Sequence, residues 1–144
     1  MANRFRYYSD LMKDYFSTRW EEEQPAVDLQ LPNEQYTPSS TMPYLRLNIM
    51  ETSATAVSSG GLNNRIRHPG MISVGVYSPS DGGDYQNLAL SDIVADILEE
   101  MKQQPPELDG IVVRVPRREV VGTSENEAFY KSLIISEFYY DRYA

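Results

Sequence analysis

Hydrophobic positions in the first part of the chain recur every three or four residues. Phe5, Tyr8, Met12 and Tyr15, with Leu11 and Phe16 beside them, fall on one stripe of an amphipathic helix over residues 3–19. Asn3 is a suitable N-cap, and Pro25 stops the helix soon after Trp20. Residues 21–43 hold Pro25, Pro32, Pro38 and Pro43 with the pair Ser39-Ser40, which predicts an extended connector with a short strand around Ala26–Leu29.

From Tyr44 the period drops to two. Leu45, Leu47 and Ile49 alternate with Tyr44, Arg46 and Asn48, the pattern of a half-buried strand. Residues 52–64, rich in Ser, Thr, Gly and Asn, are too polar to pack a core and predict a projecting loop or hairpin arm. Alternation returns over 65–78, where Ile72, Val74 and Val76 point one way and Ser73, Gly75 and Tyr77 the other; a turn with Pro79, Asp81, Gly82 and Gly83 follows. Between Tyr85 and Gln103 the helical period is clearest: Leu90, Ile93, Val94, Ile97 and Met101 make an apolar stripe that Leu98 widens, opposite Asp92, Asp96, Glu99 and Gln103. Pro105 and Pro106 end this second helix. Ile111, Val113 and Val115 alternate as a strand that resumes near Val120, and Phe129 to Tyr140 is a long final strand. Short links between strands favour antiparallel pairing. The expected class is α+β: an antiparallel or mixed sheet, two main helices packed on one face, and the projecting arm. One domain spans 1–144, with the N-terminal helix at 1–20, the connector at 21–43, and the sheet with its second helix at 44–144.

Composition narrows what such a domain does. At 144 residues, 41% hydrophobic and 11% aromatic, the chain is apolar enough to fold. No apolar run reaches the roughly 18 residues that cross a bilayer, and Met1-Ala2-Asn3-Arg4 does not open a signal peptide. The expectation is a soluble, intracellular-type module with no membrane contact. The absence of cysteine excludes disulfides, thiolate catalysis and cysteine-ligated metal sites, and a lone His68 excludes a histidine-rich one. The net charge of −8 argues against holding nucleic acid through its phosphates. The acidity is concentrated: residues 21–43 carry five acids and no base, and residues 79–109 carry eight acids and only Lys102. Residues 44–78 are mildly basic through Arg46, Arg65 and Arg67. Such blocks either solvate separate faces or let opposite-sign faces of neighbouring copies meet.

No catalytic constellation emerges. Asp92 and Asp96 lie one helical turn apart, but on a face expected to be wet, whereas a general-acid pair needs one carboxyl buried. Asp81-Gly82-Gly83-Asp84 lacks the bidentate Glu that a calcium loop places about six residues after its glycine, and reads more simply as a turn with Asp84 capping the helix. His68 has no glycine-flanked serine to serve, and Gly60-Gly61 is too short for a dinucleotide or P-loop fingerprint. Arg65 and Arg67, like Arg117 and Arg118, suit salt bridges to the acidic segments of other chains. Eleven tyrosines, crowded at Tyr7, Tyr8, Tyr139, Tyr140 and Tyr143, serve either as interface anchors or as ordinary core aromatics. The chain is expected to be no enzyme and to take no cofactor and no metal.

The order of elements from about residue 40 to 142 resembles the tail terminator (tail completion) proteins of long-tailed bacteriophages. The resemblance is carried by Pro43-Tyr44-Leu45-Arg46, the small-residue loop, Arg67-His68-Pro69-Gly70, Val74-Gly75-Val76-Tyr77-Ser78-Pro79, the helix opening Ala89-Leu90-Ser91-Asp92-Ile93 and the closing apolar strand. It implies a structural virion protein at the head-proximal end of the tail, assembled in the host cytoplasm. There a hexameric ring caps the tail tube, stops its polymerisation and docks the head connector or stopper protein, with DNA passing through the lumen but not specifically bound. On that reading Arg46, Ser58, Ser59, Gly60, Gly61, Asn63, Asn64, Arg65, Arg67 and His68 are candidate contacts to a neighbouring subunit, the tube or the connector. Asp92, Asp96, Glu99 and Glu100 are candidates for an acidic lumen that repels phosphate, or for an interface. The alternatives are another head–tail neck ring and, in a different class, a small acidic binding module such as a DNA-mimicking inhibitor.

Overall fold

Two fifteen-residue strands, paired to each other along their whole length, form the axis of the molecule. The computed structural model describes residues 4–23, 26–31, 42–52, 55–56, 65–79, 85–122 and 129–143. In chain order they form α1 (Arg4–Glu23), β1 (Asp28–Gln30), β2 (Tyr44–Glu51), β3 (Thr55–Ala56), β4 (Arg65–Pro79), α2 (Tyr85–Lys102), a 3-10 turn at Pro106–Leu108, β5 (Ile111–Val113), β6 (Arg117–Gly122) and β7 (Phe129–Tyr143). The seven strands make one sheet of order β1-β2-β4-β7-β5, with β3 also beside β4 and β6 also beside β7. The β1–β2 pair is parallel and every other pair antiparallel, so the fold is α+β with a mixed sheet, as the pattern predicts.

Alternation in β4 and β7 sorts side chains between the two faces of the sheet. Ile72, Val74 and Val76 from β4 and Ile134, Phe138 and Tyr140 from β7 are at most 2% exposed and share one face with Leu45, Leu47, Ile111 and Val113. Both helices cover that face. α1 contributes Met12, Phe16 and Trp20, a four-residue spacing; Tyr8, Leu11 and Tyr15 flank them half-buried. The seam thus lies one step round from the expected stripe, because Trp20 extends it toward the C-terminus. There the Trp20 indole N–H donates to the Val27 carbonyl at 3.0 Å, tying the helix to the segment that follows. α1 itself runs three residues beyond Trp20, to Glu23. α2 supplies Leu90, Val94, Ile97, Leu98 and Met101. It ends where Gln104 takes a left-handed φ of 56° ahead of Pro105.

The short strand expected around Ala26–Leu29 is found at Asp28–Gln30, with Leu29 opposite Leu45. Within the predicted arm, Thr55 and Ala56 pair with Arg67 and Ile66, so this part of 52–64 widens the sheet beyond the end of β2. Residues 53–54 and 57–64 lie outside the described residues. Gly70 is required by close approach: a Cβ there would stand 2.3 Å from the Met50 carbonyl oxygen and 2.5 Å from the Phe138 ring. Among the described residues no helix is long and apolar enough to cross a membrane.

Candidate functional site

The odd-numbered positions of β4 and β7 face away from both helices. Directly opposed residues on antiparallel strands share a face, so Tyr77 lies beside Lys131 and Tyr44, and Met71 beside Glu137 and Met50. Among the described residues no helix covers this open face, and its side chains build two shallow depressions.

The first, about 160 Å³, lies over Gly75 and is bordered by Arg46, Tyr77, Lys131 and Leu133. A Cβ on Gly75 would meet the Tyr77 ring at 2.9 Å, so the glycine lets that ring lie against the sheet. Tyr77 stacks on Tyr44 at 4.5 Å between ring centres and meets Phe129 edge-on. The Arg46 guanidinium is 5.6 Å and the Lys131 ammonium 5.1 Å from the Tyr77 ring centre, so two cations flank one aromatic face.

The second, about 350 Å³, is bordered by Arg67, Met71, Arg114, Glu137 and Tyr139. Arg67 lies 3.8 Å over the Tyr139 ring and Arg114 is 5.5 Å from it. Arg67 also grips Asp141 with two hydrogen bonds, Nε to Oδ1 at 2.9 Å and Nη2 to Oδ2 at 3.1 Å, and Arg65 approaches the same carboxylate at 3.4 Å. The hydrogen bonds from Arg67 hold the Asp141 carboxyl below its ordinary pKa and raise that of the guanidinium.

Charge parts by layer. The strands with Arg114 carry eight Lys or Arg residues and five Asp or Glu. The two helices with residues 106–109 carry eleven Asp or Glu and five Lys or Arg. Asp92 and Asp96 project from the outer side of α2, and Glu99 is 4.0 Å from Lys102. Glu100 is engaged within the chain. Arg19 binds it through Nε at 2.7 Å and Nη2 at 2.8 Å, and the Tyr15 hydroxyl donates to it at 3.4 Å. Arg19 lowers the Glu100 pKa, while burial first and the Glu100 charge second raise that of Tyr15.

Several candidate residues are therefore placed differently from expectation. Arg65 and Arg67 form their ion pairs with Asp141 of the same chain, because the β4–β7 register sets Arg67 directly opposite it. His68 is 4% exposed and stacks on Tyr140, since its even position turns it into the core; it offers no surface contact. Glu100 ties α1 to α2 through Arg19 while its side chain stays 40% exposed. Arg46 is exposed, with its Nε donating to Gln30 at 2.6 Å. Ser58, Ser59, Gly60, Gly61, Asn63 and Asn64 lie outside the described residues. Tyr77, Lys131, Arg114 and Tyr139 carry no sequence signal as a set, although pairing 65–79 antiparallel with 129–143 puts the first, second and fourth on one face. Nor does the sequence signal a buried polar cluster around Asn87. Asn87 donates to the Val76 and Tyr130 carbonyls at 2.9 and 3.1 Å and accepts from Ser132 at 2.6 Å, pinning the start of α2 across β4 and β7.

Among the described residues no three His, Asp or Glu side chains converge to hold a metal ion. The open face offers cations held against aromatic rings, which is chemistry for recognising a surface. No family profile matches the chain, and no curated protein sequence does either. One solved structure, 21% identical, superposes on it with a TM-score of 0.55 over 94% of this chain and 97% of its own. At that identity the likeness carries the fold alone.

Proposed function

We propose that this protein is a ring-forming structural subunit of the phage tail terminator kind, acting by shape and contact and catalysing nothing. The observation that carries the reading is the parting of charge by layer in a subunit whose described helices both lie on one face of the sheet. A surface negative on one side and cationic-aromatic on the other suits head-to-tail contacts, which close into a ring when the rotation per subunit permits. Apart from the small-residue loop, the segments that carry the resemblance fall on β2, β4, α2 and β7. In the proposed setting six copies cap the tail tube at the head-proximal end, present a docking surface to the connector, and let DNA pass a net-negative wall that does not retain it. Purified protein mixed with tail tubes and imaged by negative stain should show sixfold rings at tube ends; bare tube ends would overturn the assignment.

A second reading rests on the exposed stripe Asp92, Asp96 and Glu99 of α2, which a DNA-mimicking inhibitor would use in place of phosphates. It calls for a stable monomer that competes with DNA for a nucleic-acid enzyme, and a sixfold species in native mass measurement would exclude it.

A further inference from the structure

Arg46, Arg114 and Lys131 border the two depressions of the open face and make no ion pair among the described residues. Asp92 and Asp96 on the far side of the molecule make none either. The separation is not accidental in form. Every other basic residue described on the open face, Arg65, Arg67 and Arg117, has a carboxylate within 4 Å. The unmatched cations and unmatched acids therefore sit on opposite sides of one subunit, where they cannot reach each other.

Resting on the ring reading above, we infer that the open sheet face of one copy receives the outer face of α2 from the next copy. The two surfaces match in three respects. The first is charge: α2 presents Asp92, Asp96 and Glu99 at helical spacing, a stripe of about 10 Å, toward a face whose unpaired groups are cations. The second is length. Eighteen residues of α-helix span about 27 Å at 1.5 Å per residue, and the eight steps of β7 from Lys131 to Tyr139, which run from one depression to the other, span about 27 Å at 3.4 Å per step. The third is apolar content. α2 leaves Tyr85 81% and Leu88 39% exposed on its first turn, and the open face leaves Met50 46% exposed toward one end and Leu133 and Tyr77 half-exposed toward the other. The contact is heterologous, so each copy uses both surfaces and the chain of contacts closes only by rotation. Its electrostatics chiefly set partner choice and encounter rate.

A reciprocal charge swap tests this on the full chain. One variant makes the open face acidic (Arg46→Glu, Arg114→Glu, Lys131→Glu); the other makes the helix basic (Asp92→Lys, Asp96→Lys, Glu99→Lys). Both stay net negative, so mixing them adds no gross attraction. Each variant alone opposes like charges and should self-associate at least about tenfold more weakly than the wild type. In an equimolar mixture every contact is complementary again, so sedimentation velocity at low salt should show a heavier species than either variant forms alone, and added salt should dissolve it. A mixture no heavier than its components, at matched circular dichroism, would overturn the inference, as would variants that assemble like wild type. If wild-type rings cap tubes while the swap has no effect, the pairing fails and the terminator reading stands. If the mixture associates but wild-type protein never caps a tube, the terminator reading fails and the pairing stands.

Discussion

The two faces of the sheet are built from the same strands and the same backbone hydrogen bonds, yet they have different chemistry. Even positions of β4 and β7 place Ile72, Val74, Val76, Ile134 and Phe138 under two helices, nearly all inaccessible. Odd positions place Tyr77, Lys131, Glu137 and Tyr139 on a face that neither described helix covers. On the covered face polar atoms are organised around Asn87, which satisfies two carbonyls and accepts from Ser132. On the open face they are ion pairs and cations resting on aromatic rings. A residue on the first face answers mainly to folding free energy; one on the second is free to answer to a partner.

That contrast is most easily broken at Trp20. Trp20→Ala removes a side chain that is 1% exposed together with its hydrogen bond to the Val27 carbonyl. A loss of about 3–5 kcal/mol is expected, read as a lower urea midpoint. The next largest effect belongs to Asn87→Ala. It takes the amide donor from two carbonyls and leaves Ser132 with Ser91 as its remaining partner, and about 1–3 kcal/mol should be lost. If Asn87→Ala unfolds at the wild-type urea midpoint, the cluster does not pin α2. Tyr77→Ala on the open face should cost less, on the order of 1 kcal/mol, since the ring is half-exposed and its cation contacts are solvent-facing. Its stronger effect should be on ring formation at tube ends. A Tyr77→Ala protein that loses as much stability as Trp20→Ala would show that the open face is a second core.

Much of this architecture was legible in the chain. The alternation of Ile72, Val74 and Val76 and the stripe from Leu90 to Met101 each appear in the structure as read, because a single periodicity dominates those segments. Burial of a polar residue was not legible. Asn87 sits at the start of a helix whose early residues look solvated, and only the crossing of α2 over β4 and β7 shows that it bridges two strands. Arg67 and Arg65 read as partners for other chains because Asp141 is over seventy residues away in sequence, and only strand register brings them together. His68 misled for a related reason: flanked by charged and turn-forming residues it reads as surface, while its parity in β4 turns it inward to stack on Tyr140. Parity was available from the sequence, but the pairing partner that gives it meaning was not.

The smallest expected effect compares the two faces by their ion pairs. Arg19–Glu100 joins the helices, and Arg67–Asp141 joins the central strands. In each the arginine lowers the carboxyl pKa in the folded state, from an ordinary 4.5 for Glu100 and 3.8 for Asp141. A carboxylate with a depressed folded pKa contributes stability that is complete above its unfolded pKa and is lost as pH falls through the folded one. Acidification should therefore begin to weaken the helix clamp as pH falls below about 4.5 and the strand clamp as it falls below about 3.8. The Glu100 side chain is 40% exposed, so water screens its pair and the change should stay below about 1 kcal/mol. Glu100→Gln should lower the urea midpoint slightly at pH 7 and flatten its fall between about pH 5 and 3, while Asp141→Asn flattens only the lower part of that range. Identical slopes in both variants and in wild type would mean that neither pair contributes to folding, and that the stability of both faces rests on apolar burial and the sheet alone.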